Sequence, residues 1–376
     1  MTKEAYHLQT KAHFTQLDAL RGVAALVVVL YHTFECFDQS LSPAPHGYLA
    51  VDFFFVLSGF VIGYAYDDRW SRGLSTRHFF KRRLIRLHPM VVLGAVLGMI
   101  TFLAAGSTRW DGTEVGFPWV MLALVLGMLM IPVPVGCGAD VRGNGEMFPL
   151  NGPTWSLFFE YIGNILYALL LRRLPTRWLL MLTLLLGAGL STIAIRDGAL
   201  GVGWTLAEGG FWGGLVRMLF PYCMGMLMAR LHSRMPSCTA AARPLLMGFL
   251  LPALLIVAVA IVPLAEADAP AWHNGLFEAA CIIFLFPSIV WFSARFGNTE
   301  STAPMRFLGN LSYPLYAVHY PFMYLFYIPI IGGSVTHIQQ VWPAALLTVG
   351  ASLLVACLAM RYYDRPLRKW LMKRWG

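Results

Sequence analysis

The chain has 376 residues, 58% of them hydrophobic and only 12% charged. A soluble domain of this length carries about twice that charge, so the soluble globular classes are excluded. The formal net charge of +9 calls for no nucleic-acid partner, because the basic residues sit in short clusters between apolar runs, as the positive-inside rule produces. The composition therefore implies an all-α, polytopic membrane helical bundle.

Residues 1–16 are polar, and the first apolar run continues into Glu35 without a small-residue cleavage site, so no cleaved leader is expected. Runs long enough to cross a bilayer lie at 17–35, 49–66, 89–105, 154–171, 178–195, 211–229, 245–264, 275–294, 307–330 and 342–360. A further run, 117–133, is shorter and ends in Ile131-Pro132-Val133-Pro134. Seven Lys/Arg lie between Arg69 and Arg86, and further basic clusters surround Arg172, Arg230, Arg295 and the Arg361–Arg374 tail. The loops between them are poor in Lys/Arg and carry Asp197, Glu208, Glu266 and Asp268. All basic clusters share one side only if about ten segments cross and 117–133 is re-entrant or interfacial. The expected layout is one integral domain over 1–376, with cytoplasmic termini, a tail at 1–16 and a basic tail at 361–376. The six cysteines lack metal-ligand spacing: Cys223, Cys281 and Cys357 fall inside apolar spans, and a Cys36–Cys137 bridge is conceivable but unsupported.

Charges inside spans are expensive and usually functional. Arg21 and His32 lie in the first span; eleven positions at ~100° bring them within ~20° of one helix face, ~16 Å apart along the axis. Asp18 and Glu35 lie three residues outside them on roughly that face. His32 fits a general base, with Glu35 or Asp52 as the acid that fixes its tautomer. The competing structural readings are a hydrogen-bonded helix-contact histidine and an arginine at the headgroups. Asp52 beside a Phe-rich run needs a partner or a wet cavity, and Ser58-Gly59 reads as a small pair for close helix packing. Arg83 and Arg86 share a face at i, i+3 and could clamp a phosphorylated ligand, or could simply set topology. Pro153 suits a first helical turn, and Glu160 lies inside the span that follows, where it must be paired or protonated. Tyr313, Tyr316 and His319 recur at helical spacing; an aromatic belt accounts for the tyrosines but not for the histidine. Asp364-Arg365-Pro366 reads as a cap that closes the last span.

Taken in order, L-D-A-L-R-G with Arg21-x₁₀-His32, V-D-F-F-F-V-L-S-G-F, R-R-L-I-R-L-H-P, N-G-P-T-W-S-L-F-F-E and L-G-N-L-S-Y-P-L-Y-A-V-H-Y-P resemble the acyltransferase-3 family of integral membrane acyltransferases. The closing Tyr363-Asp364-Arg365-Pro366 resembles the family's final motif, although Asp364 stands where a glutamate is usual, and no extracytoplasmic hydrolase-like domain is expected. The resemblance implies transfer from acyl-CoA, with acetyl-CoA the expected donor, to a hydroxyl of a glycan or other sugar-containing acceptor at the cell membrane. It implies His32 as the catalytic histidine with Arg21 its partner, and Arg83 and Arg86 at the coenzyme A end of the site. Arg21 is expected to hold the acyl carbonyl or the developing oxyanion, while Glu160 and Asp52 orient donor, acceptor or His32. Trp155, Tyr313, Tyr316 and His319 are the candidate substrate contacts. No metal is expected, since no H-x-x-x-H or similar spacing occurs. The alternative class is a transporter or permease for an acyl group, glycan or lipid-linked substrate, in which intramembrane charge is equally at home. The acceptor, the acyl length, the oligomeric state and whether His32 acts as the base or itself carries the acyl group are left open by the sequence.

Overall fold

The computed structural model describes residues 13–35, 42–235, 245–265, 269–270, 272–296, 302–331 and 338–375. Its helices are α1 (Thr15–Phe34), α2 (Ala50–Ser71), α3 (Thr76–Ala104), α4 (Phe117–Met128), α5 (Thr154–Leu169), α6 (Thr176–Asp197) and α7 (Gly210–His232). They continue as α8 (Leu251–Ile261), α9 (Trp272–Ala280), α10 (Phe286–Phe296), α11 (Ala303–Val318), α12 (Tyr320–Ile331), α13 (Ile338–Leu358) and α14 (Arg365–Trp375). Short π-helical turns precede α8, join α9 to α10 and join α13 to α14. Among the described residues there is no strand, only two isolated bridges. The chain is an all-α polytopic membrane bundle, as its composition predicts.

Among the described residues, eight helical stretches are long and apolar enough to cross a membrane. The other two of the ten expected spans also appear as helices: Leu246–Ile261 is shorter, and 303–331 is interrupted at His319 between α11 and α12. Within 117–133, α4 has 12 residues, about 18 Å against a hydrocarbon layer of about 30 Å, so it is too short to cross. It packs on α3 through Val120, Ala123 and Leu124. Cys36, and with it the Cys36–Cys137 bridge, lies outside the described residues; Cys223 and Cys281 are buried free thiols.

The two most extensive helix contacts, α2 with α7 and α1 with α11, are both built on glycines. A methyl group at Gly59 would sit 2.0 Å from the Tyr222 carbonyl oxygen, and one at Gly225 would sit 2.2 Å from that of Val56. With no hydrophobic force between helices in lipid, such close backbone approach is the packing term available. Gly59 thus does what the Ser58-Gly59 pair suggests, while Ser58 turns to a polar cavity. Gly59→Ala should force α2 from α7 and lower stability by about 1–3 kcal/mol. Gly350→Ala, where a methyl meets nothing within 4 Å, should not; thermal unfolding in detergent compares the two.

Candidate active site

A cavity of about 690 Å³ opens within the bundle among α1, α2, α3, α5 and α11. Arg21, Arg83, Arg86, Glu160, Tyr313 and Tyr316, all singled out from the sequence, line it together. Its size falls in the range of small-molecule sites. Arg21 is held on three sides: Nε donates to Ser312 Oγ at 2.8 Å, Nη2 to the Gly309 carbonyl at 3.0 Å, and Nη1 pairs with Asp18 at 3.1 Å. Arg21 therefore belongs to the cavity wall and is anchored to α11. The burial that Glu160 had to offset is met by Arg83, whose Nη2 donates at 2.7 Å, with Ser58 Oγ donating to the same carboxylate oxygen at 3.2 Å. Arg83 is thus neutralised by α5, whereas Arg86 on the same face of α3 has no carboxylate partner among the described residues.

His32 does not line this cavity. Its Nδ1 lies 2.5 Å from Glu35 Oε2, so of the two acids weighed for that role Glu35 fills it. A proton on Nδ1 donated to this carboxylate leaves Nε2 with a lone pair that can accept a hydrogen bond. The ring packs against Tyr320 at 4.9 Å, Tyr31 at 5.0 Å and His319 at 5.2 Å. Tyr316 stands between cavity and histidines: its ring is 5.8 Å from His319, and its hydroxyl shares a 2.5 Å hydrogen bond with Ser156. Tyr316 and Ser156 both line the cavity and both are buried. They form a wall between the Arg21 end of the site and His32.

The position of His319 follows from the backbone. Pro321 has no N–H, so the carbonyl four residues earlier, that of Ala317, loses its helical donor. Asn151 Nδ2 supplies the replacement at 2.9 Å, and Gly94 leaves room, since a methyl there would sit 2.5 Å from both atoms. The helix breaks at His319, which turns inward and donates from Nδ1 to the Tyr316 carbonyl at 2.8 Å. Tyr313 completes this side by donating to the Leu87 carbonyl at 2.5 Å.

Asp52 and Trp155 go elsewhere. Asp52 is fully buried and receives both Nε and Nη2 of Arg217, at 2.9 and 2.7 Å. Trp155 lies against that same guanidinium, 5.3 Å from its ring centre, outside the cavity lining. Beside them Glu278, also fully buried, accepts from the Leu200 N–H at 2.5 Å and from the Tyr48 hydroxyl, with His46 at 3.3 Å. Sequence reasoning passed over Arg217 and Glu278, although a cation within 211–229 and an anion within 275–294 are signals of the kind used for Arg21. It also passed over Glu146. That carboxylate lies in the stretch between α4 and α5 and accepts from Tyr320 at 2.7 Å and Tyr324 at 2.9 Å. Burial pushes it up to about 7, against the lowering effect of the two hydroxyls. Nothing in the periodicity marks it, because its partners are 174 and 178 positions away.

Among the described residues no group of three His, Cys, Asp or Glu could hold a metal ion. The arrangement offers a cationic cavity, a phenol–hydroxyl wall, and a histidine hydrogen-bonded to a carboxylate. It defines an integral membrane protein with an intramembrane polar site.

The comparisons narrow this class. The family profile described as an acyltransferase domain matches residues 14–361. The chain belongs to the acyltransferase-3 family. It is 40% identical over 167 residues to protein 2 in the picA locus of Rhizobium radiobacter, covering 41% of this chain and 81% of that protein. With peptidoglycan O-acetyltransferase OatA of Listeria monocytogenes it shares 25% identity over 96% of its own length, but it spans only 56% of that relative. Acyltransferase MdmB of Streptomyces mycarofaciens is 29% identical over 178 residues, 43% of this chain and 41% of that protein. No solved structure matches the chain.

Proposed function

We propose that the protein is a membrane-bound O-acyltransferase that moves an acyl group, acetyl in the first instance, from acyl-CoA to a hydroxyl of a glycan or other sugar-containing acceptor. The observation that carries this reading is the alignment along α1 of a cationic cavity at Arg21 with a Glu35-oriented His32 beyond its inner wall. The peptidoglycan O-acetyltransferase among the relatives supports a glycan acceptor. In this reading the end bearing Arg83 and Arg86 faces the cytoplasm, where acyl-CoA is made. Arg86, lacking a carboxylate partner, takes phosphate, while Arg83 and Glu160 shape the cavity beside it.

His32 Nε2 removes the proton from the acceptor hydroxyl. The oxygen attacks the thioester carbonyl, the C–S bond breaks, and CoA leaves as thiolate, which takes up the proton from the imidazolium. Glu35 stabilises the imidazolium formed meanwhile. Arg21 is about 16 Å from His32 along the helix and is tied to Ser312 and Gly309, so its role falls on the donor's arm, away from an oxyanion at the carbon that is attacked. Tyr316 and Ser156 separate to let the thioester reach His32. Asp52 and Trp155 contribute through Arg217, as positioning residues.

The test is free-thiol release by purified, detergent-solubilised protein supplied with acetyl-, propionyl- or succinyl-CoA and a panel of sugar acceptors. The expected result is thiol release that requires an acceptor and leaves it acylated. Movement of a substrate across vesicles with no acyl-CoA present, and no thiol release with it, would overturn the reading in favour of a permease.

A further inference from the structure

The basic tail has so far served only to indicate topology. Beyond the family match, which ends at 361, the chain continues into α14 (Arg365–Trp375), which docks along the start of α3. Lys81 Nζ donates to the Trp375 carbonyl at 2.9 Å, Tyr363 donates to the Pro89 carbonyl at 3.2 Å, and buried Asp364 pairs with Arg368. Between α14, α3 and α2 lies a second cavity, of about 650 Å³. Six cations line it, Arg82, Arg83, Arg86, Arg365, Arg368 and Lys369, and no carboxylate does. Arg83 and Arg86 line both cavities, so the two form one path.

Two of the six cations are paired, Arg83 with Glu160 and Arg368 with Asp364; the other four repel each other across the space, and an anion between them relieves that repulsion. The Nε groups of Arg82, Arg83 and Arg368 are buried with no acceptor. Guanidinium forks match phosphate oxygens, and helical i, i+3 and i+4 spacing puts Arg365, Arg368 and Lys369 on one face of α14. We propose that α14 completes a phosphate subsite of the donor path, in which Arg365, Arg368 and Lys369, with Arg82, bind the 3′-phosphate end of acyl-CoA. The diphosphate then lies at Arg86 and the arm enters the first cavity. This rests on the acyl-CoA reading above, and the same chemistry would also take an anionic lipid headgroup.

The experiment measures binding of CoA, dephospho-CoA and pantetheine to the full-length protein in phosphatidylcholine nanodiscs. The wild type should prefer CoA over dephospho-CoA by about tenfold, the loss expected for one charge-assisted phosphate contact. R365Q/K369Q should bring that preference to within about twofold, whereas K373Q, on the same helix but outside the cavity lining, should keep it. Binding of CoA no tighter than pantetheine by the wild type would defeat the acyl-CoA reading itself. CoA binding tighter than pantetheine but without discrimination against dephospho-CoA, or discrimination that survives R365Q/K369Q, would overturn the subsite and leave the donor reading standing. Loss of discrimination when phosphatidylglycerol is added would assign the cations to lipid headgroups and likewise overturn it.

Discussion

Replacing His32 with alanine should lower acyl transfer by about 10²–10⁴-fold, the range for loss of a positioned general base, and leave acyl-CoA affinity within about twofold. The two halves of this expectation come from one geometry. His32 sits on the far side of Tyr316 and Ser156 from the cavity that Arg21 and Arg86 line, so the side chain touches no part of the proposed phosphate end. Glu35→Gln should give a smaller loss, because the glutamine amide can still accept from Nδ1 through its oxygen yet carries no charge to stabilise the imidazolium. Steady-state thiol release, paired with equilibrium donor binding, separates the two quantities. A His32→Ala protein that transfers at the wild-type rate would move the base elsewhere. One that no longer binds acyl-CoA would mean that the donor reaches His32 before the wall opens.

Arg217→Met should destabilise the fold by about 3–5 kcal/mol, as expected when one partner of a buried ion pair is removed and the other is left charged in a low dielectric. Asp52 has no other cationic partner among the described residues: it is fully buried, and both oxygens are taken by Arg217. The double variant Asp52→Leu/Arg217→Met should recover most of that loss, since a well-packed apolar pair can replace a buried salt bridge at little cost. Thermal unfolding in detergent measures the stability, and thiol release measures what the pair does for chemistry. Recovery of both stability and turnover in the double variant makes the pair structural. Recovery of stability alone, with donor binding retained, would return Asp52 to the catalytic role that its place beside the Phe-rich run suggests.

The comparison of these two acids shows where sequence reasoning carries and where it stops. Glu35 and His32 are three residues apart on one helix, so their contact follows from helical geometry alone. Glu160 needed a partner and obtained one from Arg83, but the need was legible and the partner's identity was not, because they are 77 positions apart. Asp52 posed the same question and received Arg217, 165 positions away. Hydropathy located the helices well because membrane insertion depends on local apolar length. It could not show that 303–331 breaks at His319, since that turn depends on Pro321 together with Asn151, from the stretch before α5, and Gly94, from α3. Nor could it show that Trp155, the substrate contact its motif suggests, packs against the Arg217 guanidinium. Periodicity reports which face of a helix is polar; it does not report what stands opposite.

The hydrogen bond between Ser156 and Tyr316 also has an electrical meaning. A path that carries a thioester from one face of a bilayer to an acceptor at the other would, if held open, be a route for ions. Arginines at one end and a histidine–glutamate pair at the other would line it. Each elementary charge crossing such a path dissipates about 2.3 kcal/mol per 100 mV of membrane potential. With the phenol and hydroxyl joined and His319 packed behind them, the cavity stops short of His32. On the proposed donor path, ions would then find a way past the Ser156–Tyr316 bond only while it is broken to admit the thioester arm.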